Sequence, residues 1–186
     1  KAGSYEISAG ITPDDLLKVV GDYEALIVRG RTKVTEAVFE AGKKLKVVGR
    51  AGVGVDNIDL KAAAKYGVTV VNSPLATTVS VAELALGMML AVVRDLARAD
   101  ASMKEGKWLK KEFEGNELYG KTLGVIGFGR IGVATAKRAA AFDMKVIAYD
   151  PLIPADEIKN RGGDPVTLDE LLAQADVITL HIPLTP

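Results

Sequence analysis

The chain has 186 residues, enough for one large domain or two small ones with real cores. Its 24 Lys plus Arg are balanced by 24 Asp plus Glu, which argues against nucleic acid as a partner, since such binders show a basic excess or stripe. Hydrophobic residues make up 48%, too many for a disordered chain, and the lack of cysteine excludes a disulfide framework, a thiolate metal site and a cysteine nucleophile.

No metal-ligating cluster stands out. The longest uncharged apolar run, Leu84 to Val93, is too short to cross a bilayer, and no signal-peptide pattern opens the chain. A cytoplasmic protein with no membrane partner is expected.

In chain order, a polar stretch precedes the first helix. Thr12-Pro13-Asp14-Asp15 signals that helix with a cap, a proline at the first helical position and early acids. Apolar runs then predict strands at Glu24–Arg29, Leu45–Arg50 and Val68–Asn72. Asp59 caps "LKAAAKY" and Gly67 ends it. Ser80 and Glu83 are spaced as a capping box, predicting one long helix from Ser80 to Met103. From Leu84 to Val93 it is apolar on every side, which implies burial on more than one face.

Strands follow at Thr122–Gly127, Lys145–Asp150 and Asp176–Ile182, with a second capping box at Thr167 and Glu170. Strands alternating with helices predict an α/β fold: two doubly wound, parallel-sheet, Rossmann-like domains, both partly represented. The division expected is 1–73 and 74–186. The first half has no strand before its first helix, and the second stops at Pro186 just after its third strand, so the chain is expected to be part of a longer protein.

"LGVIGFGRIG" places Gly127, Gly129 and Gly132 where a strand turns into a helix. A bare G-x-G-x-x-G is weak evidence, but an acid, Asp150, also ends the next strand, as a dinucleotide site requires. Gly127 makes the sharp turn, Gly129 lets the backbone approach a pyrophosphate, and Gly132 lets the helix pack closely on the sheet. The helix N-terminus offers unpaired N–H groups and partial positive charge to the phosphates. Asp150 can accept from the ribose hydroxyls, which favours NAD over NADP, because a 2′-phosphate would meet its carboxylate. Arg130 lies within the turn, placed for the pyrophosphate.

A rival pattern, "GNELYGKT" at Gly115–Thr122, matches a P-loop. That loop needs a strand before it and a helix after it, and here a charged stretch precedes and a strand follows. The rival fails on order.

In the first half, "VRGRTK" puts Arg29, Arg31 and Lys33 after one strand, and "GRAGVGVDN" puts Arg50, Gly52, Gly54 and Asn57 after the next. Ligands of open α/β sheets sit at such carboxyl ends. The arginines can pair with a carboxylate or phosphate, and the glycine loop can present N–H groups to an anion. Solvated charge is the simpler account of Arg31 and Lys33.

The segments "RAGVGVDNIDLKAAAKYGVTVVNSP", "SVAELALGMML", "MKEGKW", "GKTLGVIGFGRIG" and "YDP", in this order, resemble the D-isomer-specific 2-hydroxyacid dehydrogenases over nearly the whole chain. The resemblance implies a substrate domain and an NAD domain with a cleft between them, the chain crossing near Asn72 to Pro74. It implies that Val53 and Gly54 touch the substrate or nicotinamide, with Arg29, Arg50 and Asn57 nearby. It implies that Arg130 and Ile131 meet the pyrophosphate and Asp150 the ribose, while His181, Ile182 and Pro183 line the adenosine side. In the family an arginine, an acid and a histidine further downstream carry the chemistry, so no catalytic residue is expected before Pro186. His181, the only histidine, falls on the cofactor wall.

The substrate expected is a small 2-hydroxyacid, and the basic 29–33 stretch leans toward a phosphorylated one. Other D-2-hydroxyacid dehydrogenases, such as a glyoxylate or hydroxypyruvate reductase, are the alternative, as is a non-catalytic NAD(H)-sensing protein. A homodimer or higher homo-oligomer is expected through residues 80–120, because the apolar helix is followed by a segment carrying Trp108 and Phe113.

Overall fold

The computed structural model describes residues 4–183. They fall into two compact units, Lys1–Thr77 and Thr78–Pro186. The boundary expected after residue 73 lies in the segment that joins the last strand of the first unit to the first helix of the second.

In the first unit α1 (Pro13–Val19) begins as its sequence requires, with Thr12 Oγ1 accepting from the Asp15 N–H at 3.2 Å. Strands β1 (Ala25–Val28), β2 (Val47–Arg50) and β3 (Thr69–Asn72) are parallel and ordered β1-β2-β3. Their register pairs Val28 with Arg50 and Arg50 with Asn72, so all three carboxyl ends lie level. Helix α2 (Glu36–Ala41) follows β1, and α3 (Leu60–Lys65) follows β2 with Asp59 accepting from the Ala62 N–H at 2.9 Å.

Alternation along the strands sends Val28 and Val48 into a core with Leu16, Val20, Phe39 and Ala63. The opposite face carries the register neighbours Ile27, Gly49 and Val71, of which Ile27 is 78% exposed.

The second unit runs α4 (Thr78–Val93), α5 (Leu96–Lys104), β4 (Thr122–Ile126), α6 (Arg130–Ala140), β5 (Lys145–Tyr149), α7 (Ala155–Asn160), β6 (Asp164–Pro165), α8 (Leu168–Gln174) and β7 (Val177–Leu180). All strands are parallel in the order β6-β5-β4-β7. The chain therefore steps outward from β4 to β6, then returns to the other side of β4 with β7. That reversal is the topological switch point at which doubly wound sheets hold ligands.

Leu123, Val125, Ile147 and Ala148 are at most 1% exposed, because a parallel sheet is covered on both faces. Gly124 lets α8 lie close: a Cβ there would stand 2.6 Å from Leu171 Cδ2. The predicted capping box at Thr167 and Glu170 is formed. No helix among the described residues is long and apolar enough to cross a membrane.

The single helix expected from Ser80 to Met103 is two helices. α4 starts at Thr78, so Ser80 lies inside it and caps nothing. Glu83 instead approaches Arg138 of α6 at 3.7 Å. The break falls at Asp95, which adopts the left-handed conformation with φ of 51°. Its cause is tertiary: the returning chain lays Gly115 against the end of α4, where a Cβ would be 2.7 Å from the Val93 carbonyl oxygen, and the Asn116 N–H donates to that oxygen at 2.7 Å.

Within the single chain α4 is buried on one side. Ala82, Leu86 and Met89 are buried, while Leu84, Met88 and Val92 form an exposed row on the helix. Trp108 is 76% exposed, and Phe113 lies under the Arg98 guanidinium at 5.2 Å.

Candidate functional site

The glycine turn opens directly from β4, with the Gly127 N–H donating to Tyr149 O at 2.9 Å. Gly127 has φ of +91°, a conformation open to glycine and strained for other residues. A Cβ there would also strike the chain leaving β7, 2.7 Å from His181 O. Gly129 is the N-cap of α6 and supplies no capping side chain. The N–H groups of Arg130, Ile131 and Gly132 therefore start the helix without intrahelical partners. Nothing lies within 4 Å of where a Gly129 Cβ would be. Gly132 is packed under the turn, where a Cβ would overlap the Gly127 carbonyl oxygen. An uncapped helix start beneath open space is what a pyrophosphate needs.

Asp150, half-buried just past β5, is held by two backbone N–H groups. Oδ2 accepts from Phe128 at 2.8 Å and Oδ1 from Leu152 at 2.9 Å. Each oxygen keeps a second lone pair, so the carboxylate can still accept from ribose hydroxyls.

His181 follows β7 on the other side of the switch point, its N–H donating to Ile126 O at 2.8 Å. Its Nε2 lies 3.3 Å from Thr135 Oγ1 and 3.1 Å from Thr179 Oγ1. Thr135 is fully buried and donates to Ile131 O at 3.0 Å, which leaves its oxygen to accept from an Nε2–H tautomer of His181. Burial pushes the His181 imidazole below its ordinary value. Arg130 is exposed at the helix start, Ile131 is half-buried behind it, and Ile182 and Pro183 are exposed beside His181.

In the first unit the level strand ends bring the loops after β1 and β2 together. Asn57, 8% exposed, donates through Nδ2 to Arg29 O at 3.0 Å and Thr32 O at 2.7 Å, and accepts from Arg50 Nε at 3.1 Å. Arg50 also donates from Nη1 to Ala51 O at 2.7 Å. Its guanidinium therefore lies across the loop, and Gly52 has no Cβ to collide with it. The side chains of Arg29, Arg31 and Lys33 are exposed. Val53 and Gly54 are exposed at the loop tip, and Val53 O accepts from the Asn72 amide at 2.6 Å. The structure thus joins Arg29, Arg50 and Asn57 through one buried amide.

Three participants escaped the sequence reading. Thr135, Glu157 and Arg161 carry no motif, and only the folded chain shows Thr135 beside His181 and Arg161 beside the glycine turn. The P-loop rival is excluded on structure as well, since "GNELYGKT" is followed by β4.

Residues 86–186 match the family model described as D-isomer specific 2-hydroxyacid dehydrogenase, NAD binding domain. D-3-phosphoglycerate dehydrogenase of Methanocaldococcus jannaschii is 53% identical over 100% of this chain and 36% of its own length. A hydroxypyruvate reductase of Thermotoga maritima is 52% identical over 96% of this chain and 57% of its own. The chain spans about a third of the length of the D-3-phosphoglycerate dehydrogenases it matches.

Among solved structures, D-lactate dehydrogenase from Aquifex aeolicus, complexed with NAD and lactic acid, superposes with a TM-score of 0.80 at 37% identity, over 91% of this chain and 51% of that one. The apo structure of D-lactate dehydrogenase from Escherichia coli gives 0.81 at 34%, over 93% and 55%. The chain belongs to the D-isomer specific 2-hydroxyacid dehydrogenase family, and the unit that carries the glycine turn is that family's NAD binding domain.

Proposed function

We propose that the protein is an NAD-dependent D-3-phosphoglycerate dehydrogenase, oxidising 3-phospho-D-glycerate to 3-phosphohydroxypyruvate at the first step of serine synthesis. The observation that carries the cofactor half of this reading is the uncapped start of α6 beneath Gly129, with Asp150 fixed beside it. NAD supplies the hydride acceptor. The chain's own residues bind and orient it: N–H groups at the start of α6 and Arg130 receive the pyrophosphate, and Asp150 receives the ribose hydroxyls. His181, Ile182 and Pro183 wall the adenosine side.

The substrate half rests on the relatives of about 50% identity and on the basic loop after β1. Arg29 and Arg50 take the anionic groups of the substrate, Val53 and Gly54 meet its reacting end and the nicotinamide, and Asn57 holds their loops together. No proton-transfer role is assigned within the described residues. His181 has only threonine hydroxyls as side-chain partners there, with no acid to support it as a base.

We place residues 1–73 in the substrate domain and 74–186 in the NAD domain, in a cytoplasmic protein. Its subunits pair through residues 80–120, where α4 leaves Leu84, Met88 and Val92 uncovered.

A second reading, hydroxypyruvate reductase, is favoured by the Thermotoga maritima relative. The test is steady-state oxidation of NADH by the full-length protein, since the chain alone is expected to bind the cofactor without efficient turnover, with 3-phosphohydroxypyruvate, hydroxypyruvate and glyoxylate in parallel. A kcat/KM highest for the phosphorylated acid supports the proposal. A preference for either unphosphorylated acid supports the alternative, and tight NADH binding with no turnover of any of them supports an NAD(H) sensor.

A further inference from the structure

Phe128 stands between the first two glycines of the turn, yet it is fully buried and points away from the space above Gly129. Its peptide groups are gripped from both sides. The N–H donates to Asp150 Oδ2 at 2.8 Å, and the carbonyl accepts from Arg161 Nη1 at 3.1 Å. Arg161 comes from the far end of α7, 33 residues along the chain. It is steadied there by Glu157, whose Oε1 accepts from its Nε at 2.8 Å. The Phe128 ring closes the same assembly, because a Cβ at Gly163, two residues past Arg161, would lie 2.6 Å from its Cζ. Three contacts from two separate segments converge on one residue of the turn.

We propose that Arg161 is a positioning residue for the cofactor, one step removed from it. The carbonyl it holds belongs to the peptide whose N–H is that of Gly129. Fixing that carbonyl sets the plane of the Phe128–Gly129 peptide, and with it the direction in which α6 leaves the turn. The N–H groups of Gly129, Arg130 and Ile131 are then aimed before any ligand arrives, so binding does not have to order them. Glu157 neutralises the guanidinium and fixes its fork, leaving one N–H edge for the carbonyl. Asp150 has a second duty here: it holds the Phe128 N–H on the opposite side, and Arg161 completes the grip. The inference rests on reading this turn as the dinucleotide site.

The test uses the full chain and three ligands, NADH and ADP-ribose with a pyrophosphate and adenosine without one. Arg161→Met should weaken NADH and ADP-ribose by roughly 3- to 10-fold, the worth of one hydrogen bond. Adenosine, which has no pyrophosphate, should lose less than about 2-fold, because its contacts do not depend on the aim of those N–H groups. Arg161→Lys, which keeps one charged donor, should recover part of the loss. Gly163→Ala should mimic the defect with the charge intact, by pushing the Phe128 ring. Equal losses for adenosine and ADP-ribose in Arg161→Met, or unchanged NADH affinity in a folded Arg161→Met protein, overturn the proposal. Should Arg161→Met not fold, undiminished NADH affinity in both Arg161→Lys and Gly163→Ala overturns it. Failure of the unaltered chain to bind NADH overturns the dinucleotide reading itself, and this inference with it.

Discussion

Gly129→Ala separates what the fold needs from what the cofactor needs. Gly129 has φ of −73°, which any L-residue adopts, and an added Cβ would meet nothing within 4 Å. The fold should hardly notice it. We expect a stability change within about 1 kcal/mol, because alanine narrows the unfolded ensemble but is a poorer N-cap than glycine, and the two effects oppose. A pyrophosphate on the α6 N–H groups would meet the new methyl group directly, because hydrogen-bonded oxygens approach to about 2.9 Å of nitrogen. Moving the phosphate outward to clear it lengthens those bonds, and losing the net worth of one gives about 1.4 kcal/mol, a tenfold rise in the NADH Kd.

Gly132→Ala is the contrast. Its Cβ would overlap the Gly127 carbonyl oxygen and stand 3.2 Å from Val125 Cγ1, so α6 must back away from the turn. Overpacking of this kind costs roughly 1–3 kcal/mol in stability, and binding should fall as well. The assays are urea denaturation followed by circular dichroism, and NADH titration by fluorescence. Gly129→Ala with full NADH affinity would refute the argument, since the open space above the turn would then not be where the phosphates lie.

Asp150→Ala should weaken NADH binding by roughly 1.5–3 kcal/mol in calorimetric titration, and leave the Phe128 N–H without its acceptor. The unaltered chain should bind NADH more tightly than NADPH, and equal affinities would remove Asp150 from its assigned place. Burial lowers the pKa of His181, so the unfolded chain takes up this proton first as pH falls below the ordinary value of 6.5. The associated stability is complete above that pH and declines below it toward the folded value. Denaturation midpoints at pH 5 and pH 7.5 should differ less in His181→Asn than in the unaltered chain, and an unchanged difference counts against the assignment. Met88→Glu, at a position 61% exposed on α4, should leave unfolding unaffected and turn a dimer into monomer in sedimentation velocity; a dimer that survives it moves the interface elsewhere.

The strands were legible because a parallel sheet buried on both faces writes itself as short β-branched runs, as in "LGVI" and "KVIAY". β6 was not, since Asp164–Pro165 is a two-residue edge pairing with no apolar run. The helix break at Asp95 was hidden for a different reason. The apolar pattern continues through it, and the chain that ends α4 arrives from Gly115 and Asn116. Within the glycine turn, local chemistry marked Gly127, Gly129, Gly132 and Asp150, because each job demands a particular residue type. Arg161 and Thr135 are chosen by where distant segments land, and no spacing announces that. Asn57 lies between the two: its place in a glycine-rich loop drew attention, but its partners at Arg29 and Thr32 depend on strand register.

β4 has a neighbour on each side, so its amides and carbonyls are tied into the ladders of β5 and β7 together. Amides from Leu123 to Ile126 should therefore exchange with deuterated solvent only when the whole unit opens. The glycine turn is the next residue along, and it inherits that anchorage through the Gly127 and His181 N–H bonds to Tyr149 and Ile126. Its thermal history is then that of the sheet. Heating should abolish cofactor capture in the same cooperative transition that melts the second unit, with no earlier stage in which the sheet persists and the turn has come loose.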